Sequence, residues 1–140
     1  METALRALLI SDATLVGLVG ANTGSSPGVG PSIYWGDIPQ GAKDPAVAMY
    51  KISGAPGYHM KGSDGLEASI VQINVRATSV PTMQAVSRAI KDRLSGFRGE
   101  RDATDFRGIF LRDERTASEK PGTTHYQTSQ LDFDIWSRAA

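Results

Sequence analysis

A chain of 140 residues fits one domain spanning 1–140, long enough for a real but modest core. Its 15 basic and 15 acidic residues cancel, which argues against a protein built mainly to grip nucleic acid, because phosphate neutralisation supplies most of that affinity. The absence of cysteine excludes disulfides, cysteine zinc sites and thiol nucleophiles. No apolar run approaches the roughly 20 residues of a membrane span, and Met1-Glu2-Thr3 does not open a signal peptide, so the expectation is a soluble chain made in the cytoplasm.

Residues 3–19 read as a helix in two pieces. Leu5, Leu8 and Leu9 share one face, Leu15, Leu18 and Val19 share the next, and Ser11-Asp12 supplies an N-cap between them. Residues 21–31 form a loop, and Ile33-Tyr34-Trp35 is a short extended segment. Residues 46–53 are apolar on both faces, as an inner strand requires. In 66–78, Val71, Ile73, Val75 and Ala77 alternate with Gln72, Asn74, Arg76 and Thr78, the period of a half-buried strand. The glycine-rich stretch 54–65 between these two strands reads as an extended connection, too long for a tight hairpin turn.

Residues 80–95 give the clearest helix. Ser79 is placed to cap it, Pro81 sits early, and Met83, Val86, Ile90 and Leu94 line one face before Gly96. Strands follow at 107–115 and 123–137. In the latter, Leu131, Phe133 and Ile135 alternate with Gln130, Asp132 and Asp134, and Pro121-Gly122 marks the preceding turn. The expected fold is α+β: an antiparallel-dominated sheet of about four strands with two helices on one face, in the order α-β-β-α-β-β. The second sheet face, carrying Gln72, Asn74, Arg76, Gln130, Asp132 and Asp134, is expected to be wet or to meet another subunit.

The search for chemistry finds no catalytic constellation. His59 and His125 stand in no metal-ligand spacing. Ser63 and Asp64 near His59 share a glycine-rich loop rather than the rigid elements a triad needs. Gly57 to Gly62 has phosphate-loop spacing, but Ser63 stands where the lysine belongs and no helix follows. Asp132 and Asp134 share a strand face, and a solvated face explains them better than an acid/base pair. The mixed charges Arg98, Glu100, Arg101, Asp102, Asp105 and Arg107 read as a hydrated loop or a subunit interface. The chain is therefore read as a non-enzyme without metal or cofactor. Its candidate assembly residues are Gly54, Pro56, Gly57, Tyr58, His59, Met60, Lys61, Asp64, Arg98, Arg101, Asp132 and Asp134.

Several stretches together resemble the tail-completion (tail terminator, neck) proteins of long-tailed phages. They are Ala4-Leu5-Arg6-Ala7-Leu8-Leu9 with Leu15 to Val19, Ile33-Tyr34 with Ile38-Pro39-Gln40, and Ile52 to His59 leading to Gly65-Leu66 and Val71 to Val75. The helix Ala85 to Leu94 and the ending Leu131 to Trp136 complete the likeness. The loop at 21–31 is long for that family. The resemblance implies a structural virion protein: a homo-oligomer, hexameric in the virion, that forms a ring at the head-proximal end of the tail. Such a ring stops growth of the tail tube protein, joins the head connector or stopper, and lets DNA pass without specific binding or any membrane contact. Another neck role, head completion, shares the same kind of fold. A ligand-binding module would need a pocket with convergent polar groups, which no motif here announces.

Overall fold

The computed structural model describes residues 2–12, 14–15, 33–36, 45–59, 62–101, 103–119 and 125–139. Two helices, α1 (Glu2–Ile10) and α2 (Val80–Leu94), accompany one six-stranded sheet. Its strands are β1 (Ile33–Trp35), β2 (Ala46–His59), β3 (Gly62–Ala77), β4 (Gly99–Arg101), β5 (Thr104–Glu119) and β6 (Tyr126–Ala139), in the spatial order β1-β2-β3-β6-β5-β4. The α+β class stands. The count of about four strands is corrected to six, and the sheet is mixed, because β1 runs parallel to β2 while the other described pairings are antiparallel.

The alternation in the sequence decides which face the helices cover. Val71, Ile73, Val75 and Ala77 of β3 and Leu131, Phe133 and Ile135 of β6 join Val47, Met49, Phe106 and Ile109 in one buried cluster. Onto it α2 lays Met83, Val86, Ala89, Ile90 and Leu94, and α1 lays Ala4, Leu5, Leu8 and Leu9. Burying each large side chain of α2 contributes roughly 1.5–3 kcal/mol, enough to fix the helix across β3, β6 and β5. The cap at Ser79 is as expected: its Oγ accepts the Thr82 N–H at 3.4 Å.

The first helix does break in two. Helix α1 ends at Ile10, Asp12 Oδ1 accepts the Thr14 N–H at 3.1 Å, and helical backbone resumes at Thr14–Leu15; residues 16–20 lie outside the described residues. Arg93 of α2 closes the end of α1, its Nε donating to Leu8 O at 3.3 Å and Nη2 to Ser11 Oγ at 2.7 Å. A guanidinium there meets the orphan carbonyls and the negative end of the helix dipole.

Two stretches expected as loops are strands. The 54–65 segment continues β2 and β3 as a hairpin, paired from Pro56↔Glu67 through Tyr58↔Ser63 to His59↔Gly62. Its prolines and glycines hide the strand signal, but Pro56 loses little here. Beyond Met49 no described strand flanks β2 on its outer side, so a missing N–H breaks no ladder there. Register shifts between Lys51/Ser53 and Pro56/Tyr58 absorb the irregularity. The 96–108 stretch likewise forms the β4–β5 hairpin, with Arg101↔Thr104 facing across a two-residue connection in which Ala103 takes φ 60°. The turn expected at Pro121-Gly122 lies outside the described residues.

Candidate assembly surface

Among the described residues, the helices leave the two sheet edges and the polar sheet face uncovered. On one edge, among the described residues, β1 flanks β2 along Val47–Met49, and Lys51 to Gly54 further on are all exposed. On the other, β4 flanks β5 only along Thr104–Phe106, and Gly96 N–H then reaches Ile109 O at 2.7 Å. Residues 110–118 of β5 are exposed without a break on both faces. Each edge carries large apolar side chains in the open: Ile52 is 55% exposed, Phe110 54% and Leu111 38%. These sites fall on adjacent rows of the sheet, since Ser53, Ile70, Asp134 and Phe110 are successive register partners across β2, β3, β6 and β5.

The predicted site residues divide among these surfaces. Gly54 lies at the base of the β2–β3 hairpin, and Pro56, Gly57, Tyr58, His59 and Asp64 follow along its backbone; Met60 and Lys61 lie outside the described residues. Asp132 and Asp134 lie on the polar sheet face but not as a bare carboxylate pair. Arg115 Nη2 stands 3.2 Å from Asp132 Oδ2, and Arg112 Nη1 3.5 Å from Asp134 Oδ1. Arg98 is exposed just before β4, and Arg101 ends it. Among the described residues, Arg101 Nε and Asp132 Oδ1 are buried atoms with no hydrogen-bond partner, an unusual state for charged groups. His125 Nε2 lies 2.7 Å from Ser118 Oγ at an exposed strand end. No cluster of potential metal ligands occurs among the described residues.

The expected polar face is confirmed in its detail. Gln72 Nε2 donates to Asn74 Oδ1 at 3.0 Å, and the Arg76 guanidinium lies 4.6 Å from the Tyr126 ring centroid. At the far end, Asp105 Oδ2 draws Arg107 (3.3 Å) and Arg138 (3.4 Å). What sequence reading missed is the aromatic element of this face. Trp136 is exposed opposite Gly108, and a Cβ on Gly108 would come within 2.8 Å of the Phe110 ring, which occupies the space a side chain there would need.

The base of the hairpin is held by an ion pair between Lys51 and Glu67. Gly54 makes room for it, since a Cβ there would sit 2.6 Å from Glu67 Oε1 and 2.8 Å from Lys51 Cε. The Lys51 hydrogen bond, followed by that from Ser69 Oγ, holds the Glu67 carboxyl below its ordinary range against a smaller opposing effect of burial. A depressed carboxyl contributes stability above its unfolded pKa and loses it as pH falls through the folded value. The pair is about one-third exposed, so solvent screening keeps that contribution small. Lys51→Ala is expected to move the Glu67 titration back up, read from its side-chain carboxyl in ¹³C NMR; an unmoved titration would contradict the assigned cause.

Among the described residues, then, the surface that stands out is that of an α+β chain with exposed stretches on both sheet edges and a charged, aromatic sheet face, with no cluster of metal ligands. The chain belongs to the bacteriophage tail terminator proteins: the family model described as "Bacteriophage tail terminator protein" matches residues 25–138. It is thus a structural protein of the phage tail. Among solved structures, a chain of the "Virion of native gene transfer agent (GTA) particle" has a similar fold, with TM-score 0.69 and 17% identity over 98% of this chain and 94% of that one. No curated protein sequence matches the chain significantly.

Proposed function

We propose that copies of this subunit close into a ring at the head-proximal end of the tail, where the ring stops tube growth and joins the tail to the head connector. The observation that carries this reading is the pair of open edges on opposite sides of one sheet, each with exposed apolar side chains near the same row. Unlike edges meeting head to tail form a heterologous contact, and a heterologous contact closes into a ring when its rotation carries no rise. Strand direction alternates through β2, β3, β6 and β5, so a copy rotated about an axis along the strands presents its β2 antiparallel to β5 and continues the alternation. Matching the row at Ser53 with that at Phe110 is the rise-free arrangement. A net charge of zero removes long-range repulsion between copies and suits a lumen through which DNA slides. The family match supports the place in the tail.

In this reading the β2–β3 hairpin, with Gly54, Pro56, Gly57, Tyr58, His59, Met60, Lys61 and Asp64, reaches the neighbouring copy, the tube or the connector, and Arg98, Arg101, Asp132 and Asp134 line junctions. Deleting residues 56–63 removes none of the described core and is expected to yield a folded subunit whose tails neither stop at normal length nor join heads. Electron microscopy of the particles decides the matter. Overlong, headless tails support the terminator role, normal tails joined to heads refute it, and heads that leak DNA beside normal tails assign the subunit to head completion instead.

A further inference from the structure

We infer that the β2–β3 hairpin of one copy leaves the plane of the sheet at the junction and lies across the helix-free face of the next copy, on a ledge made by Trp136 and Phe110. The inference rests on the ring reading above and names the occupant of that face, a second copy of this chain.

The edges force the departure. With the Ser53 row of one copy continued by the Phe110 row of the next, the residues of β2 after Ser53 run beside the residues of β5 before Phe110. That stretch of β5 is already flanked: β4 pairs with Thr104 to Phe106, and the Gly96 N–H donates to Ile109 O at 2.7 Å. The position in the sheet plane is therefore filled where Ala55 to His59 of the neighbour arrive. The helix side is filled as well. Phe106 is wholly buried, the Phe97 ring meets it edge-on with centroids 6.0 Å apart, Arg93 lies over Phe97 at 5.7 Å, and α1 packs against β4. Among the described residues, the helix-free face is the side left open to the hairpin.

The level and the chemistry of that face fit. Ala55, Ala68, Trp136 and Gly108 are successive register partners. The neighbour's Ala55 thus arrives level with Trp136, two strand spacings or about 10 Å away. The register of β2 shifts between Pro56 and Tyr58, a break at which the hairpin can bend. The Phe110 ring leans over Gly108, which has no side chain to displace it, and Trp136 stands 43% exposed beside it. This apolar ledge lies between two ion-paired rims, Asp134 with Arg112 on one side and Asp105 with Arg107 and Arg138 on the other. Rims that already satisfy each other's charge offer little to a charged guest. Segment 54–58 of the hairpin carries no charged residue, and its glycines and Pro56 let a backbone lie close against aromatic rings.

The chain has no cysteine, so one introduced thiol carries a small apolar diazirine to a chosen position. The full-length variant Gly57→Cys, so labelled, is assembled with ¹⁵N-labelled parent chain on tail tube protein and irradiated. Mass spectrometry then maps the attachment sites, and the isotope marks those between copies. Attachment to residues 105–110 and 134–138 of another copy is expected. Its yield should fall roughly tenfold when the receiving copy carries Trp136→Ala, as for the loss of one aromatic anchor, while circular dichroism of that variant stays native. The labelled variant Ile52→Cys reports the junction separately, with attachment expected at 110–113 of another copy. If the Ile52→Cys probe finds 110–113 while the Gly57→Cys probe finds α1, α2 or the tube protein, the hairpin placement is overturned and the edge junction stands. If the Ile52→Cys probe finds no second copy, the junction fails and the hairpin placement falls with it. A Gly57→Cys yield that ignores Trp136→Ala also overturns the assignment, because the ledge then holds nothing.

Discussion

Replacing Ile52 with aspartate is expected to leave a folded subunit that no longer assembles. Ile52 sits at a register shift on the open side of β2, more than half exposed, so its loss removes nothing from the core. In the proposed junction, however, the new carboxylate would be desolvated against Phe110 and Leu111 of the next copy, whose neighbouring Arg112 is already engaged with Asp134. A desolvation cost of about 2 kcal/mol weakens a junction roughly thirtyfold, and a ring incurs it at every junction. Leu111→Asp on the opposite edge should behave alike. Mixing the two variants is the stronger test. Each retains one intact edge, so a heterologous junction allows one pairing between them and no further growth. Circular dichroism should show native folding for both, and light scattering after chromatography, with and without tail tube protein, should show monomers separately and dimers in the mixture. Assembly of Ile52→Asp at the normal size would remove the β2 edge from the junction. Dimers of one variant alone would point to like edges meeting like.

The division between legible and hidden parts of this fold follows from the range over which each signal acts. Helix α2 could be read from its own residues, because the Ser79 cap, the early Pro81 and the stripe Met83–Val86–Ile90–Leu94 are local. The sheet faces were legible for the same reason: alternation in β3 and β6 separates Val71, Ile73, Leu131 and Phe133 from Gln72, Asn74, Gln130 and Asp132. The hairpin at 54–65 was hidden because glycine and Pro56 carry weak strand preference, while the pairing of β2 with β3 that makes them strands acts across the chain. Strands β1 and β4, three residues each, are too short to show a period.

The candidate site was legible in part. Asp132 and Asp134 were assigned to the polar sheet face, but their ion partners could not be read: Phe110 stands opposite Asp134 and Asp113 opposite Asp132, while Arg112, at the register shift between Leu111 and Asp113, and Arg115 reach the two carboxylates diagonally from two positions further along β5.

Phe133→Ala is expected to be strongly destabilising, and its contrast with Trp136→Ala separates the two faces of the sheet. Phe133 is wholly buried on β6, with Val71 and Leu111 as its register partners on either side. Removing its ring loses the transfer energy of the buried atoms and leaves a void that a sheet tied on both sides closes poorly. The expected cost is about 3–5 kcal/mol. Against a total of about 5–15 kcal/mol for a domain of this size, that leaves a marginal fold. Trp136 is three residues further along the same strand but points to the helix-free face, where its contribution comes from cross-strand contact of about 1 kcal/mol or less. Urea denaturation should therefore show a much lower midpoint for Phe133→Ala and a small shift for Trp136→Ala, with similar slopes for both. If Trp136→Ala were equally damaging, the helix-free face would be part of the folding core and no longer free to serve assembly. The predicted inequality is what allows that face to change charge and aromatic content without unfolding the chain, since the residues that hold the core lie on the other side of the same strands.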